Sequence, residues 1–248
     1  MAYNFAGKKI FVTGATRGIG RGLVNSLLKC QAEVYGLGSN KNLLDKLVAE
    51  CPDVKPVHVD LGDWDLTRAE LVNLPAMNGI VNNAACGTGS VSALDLSRSN
   101  LEKSLNVNLF GPINVIQALG KKMVDAGNGG SIVNVSSVVG INPMRDMMAY
   151  NISKAGLDMV TKQFALELGQ HNIRVNSVNL SLVLTDRGKD FDAESTILTN
   201  LRSQTPLGRF VDLTEAINPM LYLLSDYSSM VTGTLQLVDG GLLSNIHV

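Results

Sequence analysis

Lys9-Ile10-Phe11-Val12-Thr13-Gly14-Ala15-Thr16-Arg17-Gly18-Ile19-Gly20 is the stretch whose reading decides the fold. Five residues of apolar character stop at Gly14, the pattern of a short strand buried on both faces. Arg21 to Lys29 then follow with helical periodicity. A strand, a glycine turn and a helix in that order offer free helix N–H groups, and a backbone bare enough for a pyrophosphate to approach. Tight packing alone also explains glycines in a strand-to-helix turn. Placement after the first strand of an alternating chain favours the phosphate reading.

Working outward, apolar runs recur at Glu33–Leu37, Val54–Val59, Gly79–Ala85, Ser131–Ser136, Ile173–Val178 and Thr234–Val238. Helical stretches separate them at Asn42–Glu50, Trp64–Leu74, Asn100–Ala126 and Met148–Gln170. Regular alternation implies parallel pairing through right-handed crossovers. The expectation is an α/β fold: one doubly wound, Rossmann-like domain over residues 1–248, with a seven-stranded parallel sheet flanked by helices. Residues 184–205 break the alternation with mixed polarity. A connection of that length suggests a lid over a site, or an ordinary pair of surface helices.

Composition narrows the function classes. The chain has 248 residues, 45% hydrophobic and 17% charged, with a net charge of −1. So balanced a charge gives nothing to steer the chain toward nucleic acid or an anionic membrane. The low charged fraction suggests surface buried between subunits. Three cysteines, Cys30, Cys51 and Cys86, show no Cys-x-x-Cys spacing, and His58, His171 and His247 form no metal-ligand pair. No apolar run is long enough for a membrane span, and Met1–Lys9 carry no export signal. A reducing, cytoplasmic setting is the expectation.

Residues after the second strand bear on the cofactor. An NAD-preferring chain usually carries Asp or Glu there, to bind the ribose 2′-hydroxyl. Here the segment is Gly36-Leu37-Gly38-Ser39-Asn40-Lys41, without a carboxylate to repel a 2′-phosphate. Arg17 in the glycine turn, with Ser39, Asn40 and Lys41, supplies donors to such a phosphate, so NADP(H) is favoured. Asp60 follows the third strand and suits either the adenine amino group or a turn. Asn82 and Asn83 close the fourth strand, tying loops together or lining the cofactor.

Tyr150 and Lys154 stand four residues apart in a helical stretch and share a face. A phenol is a poor base at neutral pH. Lowering its pKa by about three units takes roughly 4 kcal/mol, within reach of a close, partly buried ammonium. Such a phenol gives a proton to a carbonyl oxygen while hydride arrives at carbon. Ser137, thirteen residues earlier, ends the fifth strand and suits holding that oxygen; Ser136 competes for the role.

In combination these motifs resemble the short-chain dehydrogenase/reductase family over nearly the whole chain. Thr13-Gly14-x-x-x-Gly18-x-Gly20 is similar to its cofactor turn, Asn82-Asn83-Ala84-Ala85 to its Asn-Asn-Ala-Gly motif, and Asn108 within Asn106-Val107-Asn108-Leu109 to the fourth catalytic position. The resemblance implies Tyr150 as acid/base, Lys154 on the nicotinamide ribose, Ser137 on the substrate carbonyl and Asn108 positioning a relay water. It implies cofactor contacts from Gly14, Thr16, Arg17, Gly18, Ile19, Gly20, Ser39, Asn40, Asp60, Leu61, Asn83, Ala84, Tyr150, Lys154, Val183 and Thr185. Substrate contacts would come from Ser137, Asn142 and Tyr150. The chain departs from the pattern at Ala85, in place of glycine, and at Leu180-Ser181, in place of the usual Pro-Gly beside the nicotinamide.

Glu50–Trp64 and Leu157–Gly169 resemble the dicarbonyl/L-xylulose reductase branch of that family. The branch implies NADPH-dependent reduction of L-xylulose and α-dicarbonyls by a homotetramer, assembled through helices 100–126 and 148–170. Val138–Met148 and the 184–205 connection are expected to build the pocket, where Asn142, Arg145 and Asp146 suit hydroxyl groups. Its methionines and apolar residues keep a steroid or retinoid reductase in view. A 3-oxoacyl reductase would want a basic mouth, whereas Asp186, Asp190, Asp192 and Glu194 here mix with Arg187 and Lys189. A non-enzymatic NADP-sensing protein would usually have lost part of the tetrad.

Overall fold

The computed structural model describes residues 3–87, 89–185 and 196–245. Seven strands form one parallel sheet in the order β3-β2-β1-β4-β5-β6-β9. They are β1 (Lys9–Thr13), β2 (Glu33–Gly38), β3 (Lys55–His58), β4 (Gly79–Asn82), β5 (Gly130–Ser137), β6 (Ile173–Leu180) and β9 (Leu235–Val238). The expected architecture is therefore present. The order reverses between β1 and β4, so a crevice opens at their carboxyl ends, where such sheets bind ligands.

Alternation along the buried strands explains the two-sided core. Ile10 and Val12 point to one face, with α1 (Gly18–Lys29), α2 (Lys41–Glu50) and α9 (Leu213–Leu224). Phe11 points to the other, where Leu71 of α3 (Trp64–Leu71) and Val115, Ile116, Leu119 and Met123 pack. A short parallel pair, β7 (Val183–Leu184) with β8 (Val211–Asp212), lies beside the main sheet.

The expected 100–126 helix runs from Arg98 to Ala126 as α4 (Arg98–Leu105), α5 (Gly111–Val115) and α6 (Lys121–Ala126), joined by two wider π-turns. Pro112 has no N–H to give the carbonyl of Asn108, so the first turn widens around Asn108. The second long helix, α7, spans Met148–Leu168. Within the expected lid, α8 covers Thr196–Gln204, while residues 186–195 lie outside the described residues. Helix α9 is absent from the sequence reading; Asp212 and Glu215 form a capping box at its start. No helix among the described residues is long and apolar enough to cross a membrane.

One face of the sheet carries polar groups beneath α7. Ser136 lies beside Asn179 and Asn134 beside Ser177 in the β5–β6 register, and Asn82 lies beside Asn134 across β4. Asn82 Nδ2 donates to Asn134 Oδ1 at 2.9 Å, and Asn134 Nδ2 donates to Thr161 Oγ1 of α7 at 2.9 Å. This layer lies directly under the helix that carries Tyr150 and Lys154.

Candidate active site

The turn after β1 is shaped by backbone contact. Gly14 adopts φ +65°, and a Cβ there would stand 2.9 Å from the Ala84 Cα. A Cβ on Gly20 would stand 2.1 Å from the Gly14 carbonyl oxygen. Asn83 ties the loop after β4 to this turn. Its Nδ2 donates to the carbonyls of Thr13 (3.0 Å) and Gly14 (3.2 Å). The N–H groups of Asn83 and Ala84 both donate to Thr13 Oγ1 at 3.0 Å.

Helix α1 begins at this turn without a side-chain cap and without an acidic residue in its first turn. By contrast α2, α3 and α4 are capped by Asn40, Asp63 and Ser97. Uncapped amides and the positive end of the helix face the switch-point crevice, which fits a pyrophosphate. Arg17 is exposed beside it. Thr16 packs against Gly38, whose Cβ would meet Thr16 Cγ2 at 2.6 Å, so the turn reaches the end of β2. There Ser39 is exposed, Asn40 Oδ1 accepts the Leu43 N–H as a helix cap, and Lys41 pairs with Asp45. Asp60 shapes its own turn by accepting the Gly62 N–H at 2.9 Å, with Leu61 buried beside it. Thr185 lies across the turn, about 3.8 Å from where a Gly18 Cβ would stand, and Val183 is fixed by pairing with Val211. The residues present fit a dinucleotide laid along this edge.

Leu180-Ser181, the departure from Pro-Gly, extends β6. Leu180 pairs with both Ser137 and Val238, and the Ser181 N–H donates to the Val238 carbonyl at 3.2 Å. A proline at 180 would have no amide N–H to offer this ladder.

Three of the four expected catalytic residues, Asn108, Tyr150 and Lys154, are linked through contacts on or against α7. Asn108 is fully buried; its Nδ2 donates to Ser153 Oγ at 3.1 Å, and Ser153 Oγ donates to the Tyr150 carbonyl at 2.8 Å. Asn108 also clasps the main chain of Cys86, accepting its N–H at 2.8 Å and donating to its carbonyl at 2.9 Å. Lys154 Nζ lies 5.5 Å from the centre of the Tyr150 ring and donates to the Val135 carbonyl at 2.7 Å. Ser137 stands two residues further along β5. Its Oγ donates to the Leu180 carbonyl at 3.2 Å. Ser136 instead faces inward, donating to the Lys154 carbonyl at 3.4 Å, which separates the two serines.

Lys154 is 2% exposed, and burial lowers its pKa to about 8, against the opposing influence of the Asp158 carboxylate and the Cys86 thiol. Tyr150 packs against Val138, Val139 and Leu242, with Leu201 of α8 and Leu243 beside them. Asn142 is exposed on the turn following Val138–Gly140. Asp158, Ser153 and the leucines 201, 242 and 243 went unnoticed in the sequence. Asp158 stands four residues after Lys154 on the same face, and that spacing was the available signal.

Comparison with known proteins gives the family. Residues 14–243 match the family model described as enoyl-(acyl carrier protein) reductase. The L-xylulose reductase of Mus musculus is 39% identical over 244 residues, 98% of this chain and all of that one. Carbonyl reductase (NADPH) 2 of Sus scrofa is 38% identical over 245 residues, 99% of this chain and all of that one. A solved short-chain type dehydrogenase/reductase from Mycobacterium ulcerans superposes with a TM-score of 0.90 at 28% identity, covering 98% of this chain and 92% of that one. With its switch-point crevice, Tyr150–Lys154 pair and full-length relatives, the chain belongs to the short-chain dehydrogenase/reductase family of oxidoreductases.

Proposed function

We propose that the chain is an NADPH-dependent reductase of small carbonyl compounds, L-xylulose and α-dicarbonyls among them, working as a homotetramer. The observation that carries the chemistry is Lys154, buried under the Tyr150 ring and held against the Val135 carbonyl. NADPH supplies hydride to the carbonyl carbon when bound. Tyr150 gives its phenolic proton to the carbonyl oxygen, and the Lys154 ammonium stabilises the phenolate left behind. Ser137 turns its hydroxyl from Leu180 to the same oxygen. Asn108 holds α4–α5 against α7 and positions a water that passes protons to Lys154.

The preference for NADPH rests on the edge after β2. Arg17 pairs with no carboxylate among the described residues, and Ser39 and Asn40 stand exposed at that edge. The relatives named for L-xylulose and for NADPH-dependent carbonyl reduction support the substrate class. Residues 184–205 act as the lid, α8 bringing Leu201 against the cluster that holds Tyr150.

The apolar wall of Val138, Val139, Leu201, Leu242 and Leu243 favours a second reading, a bulkier steroid-like or retinoid-like carbonyl. Following NADPH oxidation with L-xylulose, diacetyl, a 3-keto steroid and an acetoacetyl thioester separates them. Turnover with L-xylulose or diacetyl is expected, together with its loss in Tyr150→Phe. Background rates with both small carbonyls sink the substrate assignment, and full turnover in Tyr150→Phe sinks the mechanism.

A further inference from the structure

Beneath the Tyr150–Lys154 pair lies a carboxylate that the chemistry above does not use. Asp158 is 5% exposed, one helical turn beyond Lys154 on α7. A carboxylate in the core costs several kcal/mol unless it is partnered. Here it accepts from Asn179 Nδ2 at 2.7 Å and Ser177 Oγ at 3.3 Å, both on β6. Asn179 spends its second N–H on the main-chain carbonyl of Ser137 at 3.2 Å, and its Oδ1 accepts from Ser177 at 2.6 Å. Gly140 lets the turn after Ser137 sit on the helix at this point. A Cβ on Gly140 would stand 2.9 Å from the Lys154 carbonyl carbon and 3.1 Å from Asp158 Oδ2.

We propose that Asp158 is a positioning residue of the active site: its buried charge, one helical turn from Lys154 and short of a direct ion pair with it, favours the ammonium over the free amine and, through Asn179, fixes the main chain of Ser137. This rests on reading Tyr150 and Lys154 as the acid/base pair.

Among the described residues the charges around the pair are few. Lys154 faces the Tyr150 ring and Asp158 on its own helix, and the Cys86 thiol on the loop after β4. Asp158 faces Lys154, while Ser136, Ser177 and Asn179 from the sheet are neutral. Donors reach both carboxylate oxygens, which an acceptor-only group suits and an amide matches at one oxygen alone. A negative charge at 158 also favours the protonated form of the neighbouring cation in a site that burial makes hostile to it. Burial raises the pKa of Asp158, and the polar side chains of Ser136, Asn179 and Ser177 together with the Lys154 charge oppose that rise.

The test is the full-length Asp158→Asn protein, near-isosteric and neutral, assayed for NADPH-dependent diacetyl or L-xylulose reduction from pH 5 to 10. Without the anion both Lys154 and Tyr150 lose protons more readily. The alkaline limb of kcat should therefore move to lower pH by about one unit, with a smaller loss at pH 6 than at pH 9. The pH dependence of the ligand-free thermal midpoint supplies a readout that needs no substrate: the rise belonging to Lys154 should begin at lower pH. An unmoved limb, or an equal loss at every pH, overturns the proposal. If Asp158→Asn does not fold, Asp158→Ser, smaller than the site, carries the same readouts. Tyr150→Phe is the control: if it kills turnover while Asp158→Asn leaves both profiles unchanged, only this inference fails.

Discussion

Lys154 shows what a single side chain costs in this fold and what it returns. Burial brings its pKa from 10.5 to about 8. A lysine that is harder to protonate when folded is a penalty, complete below the folded value and relieved as pH rises toward the unfolded one. Between about pH 8 and 10.5 the protein should therefore gain stability from this residue, on the order of 3 kcal/mol in all. Subtracting denaturation curves of Lys154→Met from those of the parent over that range should isolate the gain. Parallel curves would show that the ammonium is not buried in solution. The same residue explains what was readable here. Tyr150 and Lys154 lie one helical turn apart, so a single chain segment displays them. Ser137 separates from Ser136 by strand alternation, which period two supplies directly. The partners of Asp158 are not readable, because Ser136, Ser177 and Asn179 arrive from two strands far along the chain.

At the scale of elements, the turn between β1 and α1 does two jobs at once. Gly20 holds the helix against the Gly14 carbonyl, and the helix start is left uncapped. Gly20→Ala must push backbone from backbone, because the clash lies with a carbonyl and not with a flexible side chain. It should cost about 1–3 kcal/mol of stability and weaken NADPH binding, measured by melting and by fluorescence titration. Unchanged values in both would mean that the turn is looser than its geometry implies. Elements built on periodicity were legible to within a few residues. Helix α9 was not. Asp212 and Glu215 announce its start, but Pro219 interrupts the helical pattern that follows. The π-turn at Asn108 also escaped, since Pro112 acts through a carbonyl four residues back.

At the scale of the molecule, the sheet order puts the Tyr150–Lys154 pair and the glycine turn at one edge and leaves other surfaces for association. Along α7, Met148, Ile152, Met159 and Leu166 are exposed at 40%, 42%, 62% and 79%. Spacings of four, seven and seven residues place them on one stripe, opposite the face that carries Lys154 and Asp158 toward the sheet. Phe110, on the neighbouring long helix, is also exposed. A continuous apolar stripe on a helix of twenty-one residues calls for a partner, and the proposed homotetramer provides a second copy of the same helix. Light scattering at micromolar concentration should therefore give a mass of four chains. Replacing Met159 and Leu166 together by glutamate puts like charges into a two-fold contact, where each faces its own copy. That variant should fall to smaller species while each chain keeps its fold by circular dichroism. A parent protein that elutes as a single chain refutes the assembly outright, and a charged variant that stays tetrameric shows that contact to lie on another face.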